Sequence, residues 1–346
     1  MINSFNYRKT PPDFNFSCTN NLLSAITTII NILDYTSIVL LSHKDDIGSS
    51  CKQSTELIHA EGLVVKFGDK VAVDGIDIDV KSGEIYGFLG PNGAGKTTTI
   101  KVLTTLLHPS SGNIAIDGLK LPNENTEVRK TIGFVQQMIS LDKDISVKEN
   151  IICRGYMHKV PKDIIKKRMD NLTEALGLTP FLDYTVVNLS GGWQRKTAIA
   201  CALMHEPKIL FLDEPTAGLD TQSRHMLWDM IRQLNKTGTT IFLTTHYIEE
   251  AENLCDRVAI LNKGKIVALG SPEELCDGIG RFAVEYDDSD YGRKYKYFSD
   301  WAVAKEFVAG FSDNDSINLR RTSLEDVFLE MTGRKVTADF VKVVRV

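Results

Sequence analysis

The residues Gly90-Pro91-Asn92-Gly93-Ala94-Gly95-Lys96-Thr97 follow the spacing G-x-x-x-x-G-K-[ST]. Glycines at those places let successive backbone N–H groups converge on phosphate oxygens, and a helix starting at the last glycine adds a partial positive charge. Lys96 is placed to neutralise the β- and γ-phosphates of a nucleotide and the Thr97 hydroxyl to ligate magnesium, with Thr98 next in the same turn. A ligand-free surface turn explains the glycines but not the Lys-Thr pair between a strand and a helix. A second cluster, Asp213-Glu214, ends the apolar run Ile209–Leu212. Asp213 suits magnesium held through its water shell, and Glu214 can polarise a water that attacks phosphorus. Alone, such a pair reads as a turn or helix cap; beside a phosphate loop it reads as the other wall of a nucleotide site.

Short β-branched runs predict strands over Leu63–Val65, Val71–Val73, Ile76–Val80 and Ile85–Leu89, then a helix over Lys96–Leu107 and a strand over Asn113–Ile116. The uninterrupted runs Ile209–Leu212 and Thr240–Thr244 suit strands buried on both faces of a parallel sheet. Ligands of such sheets bind beyond the carboxyl ends of the strands, where Asp213, Glu214 and His246 fall. The middle, about 140–204, is helical in pattern, with Gly177 at a helix C-terminus. Near the end, Leu324, Val327, Phe328 and Met331 share one helix face, and Thr322 with Glu325 fits a capping box.

Leu189-Ser190-Gly191-Gly192 adds two glycines whose N–H groups can approach an anion, and a serine able to cap a helix beginning near Trp193. With the motifs above, in this order and over about 56–275, the chain resembles the ABC ATPase family, whose signature is LSGGQ. The resemblance implies an α/β fold: a P-loop NTPase (RecA-like) core sheet with an antiparallel β-subdomain, an inserted helical subdomain, and a small C-terminal α/β unit. It implies ATP and Mg2+ as ligands, bound by Gly90, Pro91, Asn92, Gly93, Ala94, Gly95, Lys96, Thr97 and Thr98. Phe67 falls where the family stacks an aromatic on adenine. Gln137, with Gln136 as the alternative, resembles the glutamine that links magnesium to the membrane partner. Asp220 matches the loop that aligns two paired chains, and His246 the histidine that contacts the γ-phosphate. Catalysis would rest on Glu214, His246, Lys96 and Gln137, with the metal on Thr97, Gln137 and Asp213. Two residues depart from the pattern: Trp193 stands where the signature has Gln, and Cys201 where many members have Arg. Those changes predict altered turnover rather than inactivity.

The segment 322–334 resembles the C-terminal LEDVFLxLTGR of daunorubicin-resistance ATPases, which energise ABC-2 type export permeases. In the family, ATP lies between one chain's phosphate loop and Ser190, Gly191 and Gly192 of another. The partners implied are therefore a second ATP-binding chain and a separate multi-span permease, with this chain peripheral on the cytoplasmic membrane face. The rival class, a soluble ABC ATPase acting on ribosomes or DNA, usually brings two cassettes or long coiled coils, which are lacking here. A net charge of −5 over 346 residues gives no basic footprint for nucleic acid. Six scattered cysteines without a CxxC pair read as reduced thiols. The apolar stretch 22–41 is long enough to span a membrane, but Asn31 and Asp34 oppose insertion. Residues 1–55 therefore read as a poorly ordered or peripheral extension, 56–280 as the ATP-binding domain, and 281–346 as an accessory domain.

Overall fold

The computed structural model describes residues 56–288, 292–311 and 317–333; the expectation for residues 1–55 lies outside them. Two twelve-residue strands, β1 (Glu56–Phe67) and β2 (Lys70–Lys81), pair antiparallel. The short strands expected at Leu63–Val65, Val71–Val73 and Ile76–Val80 are thus parts of two long ones. The ladder shifts register between Ala60 and Leu63 and again between Leu63 and Val64. Extra residues at such bulges are absorbed without ending the strand, and they increase its twist.

The chain then runs through β3 (Ile85–Leu89) and helix α1 (Lys96–Leu103). This helix is one turn shorter than expected. The Thr104 hydroxyl bonds back to Ile100 O at 2.7 Å, and Thr105 turns left-handed at φ 64°. β4 (Ser111–Ile116) and β5 (Leu119–Leu121) complete a sheet of order β2-β1-β4-β5. Helix α2 (Asn125–Thr131) leads into β6 (Ile132–Val135).

Three helices follow and pack on one another: α3 (Val147–Met157), α4 (Lys162–Ala175) and α5 (Gly191–Leu203). α3 starts in a capping box, Ser146 accepting from Glu149 N while Glu149 accepts from Ser146 N. Gly177, at φ 69°, supplies the left-handed residue just past the end of α4.

The chain returns to the second sheet with β7 (Ile209–Asp213), α6 (Thr221–Lys236), β8 (Thr240–Thr245), α7 (Ile248–Leu254), β9 (Arg257–Asn262) and β10 (Lys265–Gly270). The order is β10-β9-β3-β8-β7-β6, parallel from β9 to β6. Side chains alternate across this sheet. Ile85, Leu89, Leu210, Leu212, Ile241 and Leu243 face one apolar cluster, while Tyr86, Phe88, Phe211 and Phe242 face the other. Burying each of those rings contributes about 1.5–3 kcal/mol. With both faces covered, every residue of β3, β7 and β8 is buried, as unbroken apolar runs require.

Helix α8 (Pro272–Ile279) precedes a third sheet of order β12-β11-β13, formed by β11 (Phe282–Asp288), β12 (Gly292–Phe298) and β13 (Ile317–Arg321), with α9 (Trp301–Ala309) between β12 and β13. The last described helix, α10 (Leu324–Thr332), puts Leu324 and Val327 into the large core and packs on α7 and α8. Its capping box lies one residue later than expected. Ser323 N donates to Asp326 Oδ2 at 2.9 Å, whereas the Thr322 hydroxyl donates to Gly280 O. Asp326 is drawn into that role because Arg320 Nη1 fixes the same carboxylate at 2.6 Å.

Candidate nucleotide site

The loop from Gly90 to Gly95 leaves the carboxyl end of β3 and enters α1, at the centre of the parallel sheet. Gly95 adopts φ 112°, and a Cβ there would lie 2.7 Å from Ala72 O. Only glycine satisfies both conditions, because the left-handed region and the close backbone approach each exclude a side chain. Gly90 is as tightly held, since a Cβ would stand 2.6 Å from Leu261 O. The loop borders a cavity of about 590 Å³. Phe67, Asn92, Gly93, Gly95, Lys96, Thr97, Thr98, Gln137 and Glu214 all line it. Phe67 (52% exposed) and Val71 (41% exposed) present an apolar ledge at its wall, suited to a flat aromatic ring.

Lys96 folds back over its own loop, donating to Gly90 O at 2.7 Å and Pro91 O at 3.3 Å. Its amine also stands 3.6 Å from Glu214 Oε1. Burial lowers the Lys96 pKa and the charge of Glu214 opposes that shift. Anionic phosphate oxygens would compete well with these neutral carbonyls for the amine.

Asp213 ends β7, one strand removed from β3, and Glu214 follows it directly. Asp213 Oδ1 accepts from the Thr244 hydroxyl at 2.6 Å and from the Thr97 hydroxyl at 3.3 Å. Burial raises the Asp213 pKa against those two bonds. Glu214 has φ 46°, a left-handed conformation that costs a non-glycine residue about 1–3 kcal/mol. Its amide is fastened to the Thr244 carbonyl and hydroxyl oxygens, both at 3.1 Å. The side chain is thereby turned toward three partners. Gln137 Nε2 donates to Glu214 Oε2 at 2.9 Å, and His246 Nδ1 lies 3.2 Å from the same oxygen without hydrogen-bond alignment. Lys96 is the third.

The Thr97 hydroxyl, the Asp213 carboxylate and the Gln137 amide oxygen are hard oxygen donors, the set that fits Mg2+ beside phosphates. Gln137, rather than Gln136, enters the cavity. The Gln136 carbonyl is taken by Arg195 Nη1 at 2.7 Å.

Ser190, Gly191 and Gly192 are not among the residues lining the cavity. Ser190 is the N-cap of α5, which begins at Gly191 rather than near Trp193, and its side chain makes no capping bond. Asp220 is also outside the cavity. It caps α6, accepting from Ser223 N at 2.9 Å and Ser223 Oγ at 2.7 Å. Sequence reasoning missed Thr244, which reads as one more apolar-run residue until β8 is set beside β7. It also missed Arg195, whose buried guanidinium reaches the 136–137 backbone, and the cavity residues Lys70, Lys263 and Gly264. A charged residue five positions inside the signature helix was the one available signal for Arg195.

A phosphate loop entering a helix from the centre of a parallel sheet, with a carboxylate pair ending a nearby strand, defines a P-loop nucleotide-binding protein. Residues 73–217 match the family described as "ABC transporter". The Nod factor export ATP-binding protein I of Burkholderia lata is 39% identical over 290 residues, which cover 78% of this chain and 95% of that one. The solved structure of cbiO1 from Clostridium perfringens, described as part of an ABC transporter complex, superposes with a TM-score of 0.60 at 33% identity. That match covers 64% of this chain and 90% of cbiO1. A dimeric ATP-binding cassette solved in a post-hydrolysis state with ADP and Pi matches at TM-score 0.56 and 27% identity, covering 62% of this chain and 98% of that one. The chain belongs to the ABC transporter family, as an ATP-binding subunit that hydrolyses ATP.

Proposed function

We propose that two copies of this chain close head to tail around ATP and so drive a separate, multi-span permease of the ABC-2 export type. The observation that carries this reading is that Ser190, Gly191 and Gly192 do not line the cavity that holds the phosphate loop. Its walls hold Lys96, Thr97 and Glu214, whereas Ser190 and Gly191 are exposed elsewhere and free to face an anion bound on another chain. Such an arrangement is isologous, each copy giving the same two surfaces.

Within each site, Phe67 stacks on adenine and the amides of residues 90–98 cradle the phosphates, with Lys96 neutralising their charge. Thr97, Asp213 and Gln137 would hold Mg2+, which would supply positive charge to offset that of the phosphates. Glu214 orients the attacking water and takes up its proton, and His246 steadies the γ-phosphate beside it. Asp220 aligns the partner. Export of a drug, lipid or other hydrophobic substrate is supported by the 322–334 segment and by the similarity to a protein named for Nod factor export. Among the described residues, no helix is long and apolar enough to cross a membrane. A place on the cytoplasmic membrane face, with 56–280 as the ATP-binding domain and 281–346 as an accessory domain, completes the proposal. Gentle extraction of membranes should recover the chain with a multi-span protein; recovery with ribosomes instead would replace the transport reading by translation.

A further inference from the structure

Ser190 caps α5, and Gly191, Gly192 and Trp193 are its first three residues. A Gln at the third position can return a hydrogen bond to the cap in a reciprocal box, but an indole accepts none. The start of this helix is held by aromatic packing instead. The Trp193 ring lies 4.3 Å from Phe181 between centroids, and Lys196 Nζ stands over it at 4.5 Å. Phe181 in turn meets Tyr184 edge-on at 5.7 Å. The next residue fastens the same stretch, Gln194 Nε2 donating to Leu189 O at 3.0 Å and Val186 O at 3.2 Å. Ser190 itself is exposed and its side chain makes no bond to the helix.

We propose that Trp193 is a positioning residue for the half of the ATP site given to a second chain: packed against Phe181 and Lys196, it fixes the direction in which Ser190 and the first turn of α5 face that chain's nucleotide. In physical terms, a rigid ring anchored at the third helical residue replaces a flexible amide, leaving the serine hydroxyl and first-turn N–H groups uncommitted for an anion. The inference depends on the paired arrangement proposed above. Trp193 does not line the cavity at the chain's own phosphate loop, so its removal should leave ATP binding by a single chain intact and weaken closure.

The test uses the full chain with Glu214→Gln, which is expected to retain ATP, and reads pairing by light scattering and single-chain affinity with a fluorescent ATP analogue at low protein concentration. Loss of the stacked ring and its cation contact should weaken ATP-driven pairing roughly ten-fold in Trp193→Ala, with analogue affinity changed less than about two-fold. Phe181→Ala should weaken pairing likewise, the double variant should be little worse than either single one, and Trp193→Phe should stay near the parent. Unchanged pairing in Trp193→Ala, or equal losses in pairing and single-chain affinity, overturns the proposal. Should Trp193→Ala fail to fold, unchanged pairing in Phe181→Ala overturns it equally. Absence of ATP-driven pairing while Trp193 is intact overturns the paired arrangement itself, and the role of Trp193 with it.

Discussion

Arg195 Nη2 donates to the carbonyl oxygen of Gln137 across 3.0 Å. The helix that presents Ser190 therefore grips the backbone whose side chain bonds Glu214. Movement of α5 relative to the core pulls on the 136–137 segment, so the Ser190 end of α5 and the Gln137 wall of the cavity are mechanically joined, although the proposed pairing assigns them to different ATP sites.

Arg195→Ala strips both carbonyls of a buried, charged donor, and each such bond contributes about 1.5–3 kcal/mol. The melting temperature should fall, and ATP turnover should fall further than ATP affinity, because Gln137 loses its anchor while Lys96 keeps its own. Arg195→Lys should not restore turnover, since a single ammonium lacks the planar fork that reaches two oxygens. Calorimetric melting and steady-state kinetics read both effects.

Lys96 is 4% exposed and its amine is held by oxygens that phosphate can replace. Lys96→Ala should weaken ATP binding by roughly 100-fold or more, about 2.7 kcal/mol. Equilibrium binding of a fluorescent analogue measures this, and unchanged affinity would remove the loop from the site.

Glu214→Gln keeps the size of the side chain and its contact with Gln137 but cannot accept a proton. Turnover should drop by about 100-fold or more, as expected for losing a general base, and an ATP-bound pair should accumulate on size-exclusion chromatography. Full turnover in this variant would take Glu214 out of its assigned role.

Thr244 supplies the shortest bond to Asp213, at 2.6 Å, and an acceptor for Glu214 N at 3.1 Å. Thr244→Val leaves the buried carboxylate short of a donor, a loss of about 1–3 kcal/mol. Burial already raises the Asp213 pKa, and removing this bond raises it further. More magnesium should then be needed for half-maximal turnover, most visibly at acid pH where the carboxyl holds its proton. Thr244→Ser should restore the parent response in a magnesium titration.

His205 stacks on His158 at 3.8 Å between centroids, with Nε2 2.9 Å from Ile132 O. Burial first, then the neighbouring His158, bring its pKa down to about 4. A group with a depressed folded pKa binds fewer protons in the native state than unfolded, so stability rises with pH across that interval. The protein should therefore lose stability as pH falls from the ordinary histidine range, 6.5, toward about 4. His205→Gln should flatten that part of the curve in denaturant melts taken at a series of pH values.

The sequence by itself determined the phosphate loop, the Asp213-Glu214 pair and the buried parallel strands, because each is written in contiguous residues. G-x-x-x-x-G-K-[ST] specifies a backbone shape locally, and an unbroken apolar run needs no distant partner to be recognised as buried on both faces. Gly95 is the clearest case, since its φ of 112° suits only glycine. The tertiary structure alone decided which residues meet across strands and helices. Thr244 supports the site only because β8 lies beside β7 in a register that sets its hydroxyl against Asp213. Arg195 matters because α5 crosses the 136–137 backbone 58 residues away in sequence. The capping box at Ser323 moved by one residue because Arg320 holds Asp326, and the bulges in β1 and β2 merged strands that composition divides. Pairings of that kind depend on register and packing between segments distant in the chain, which local residue patterns do not encode.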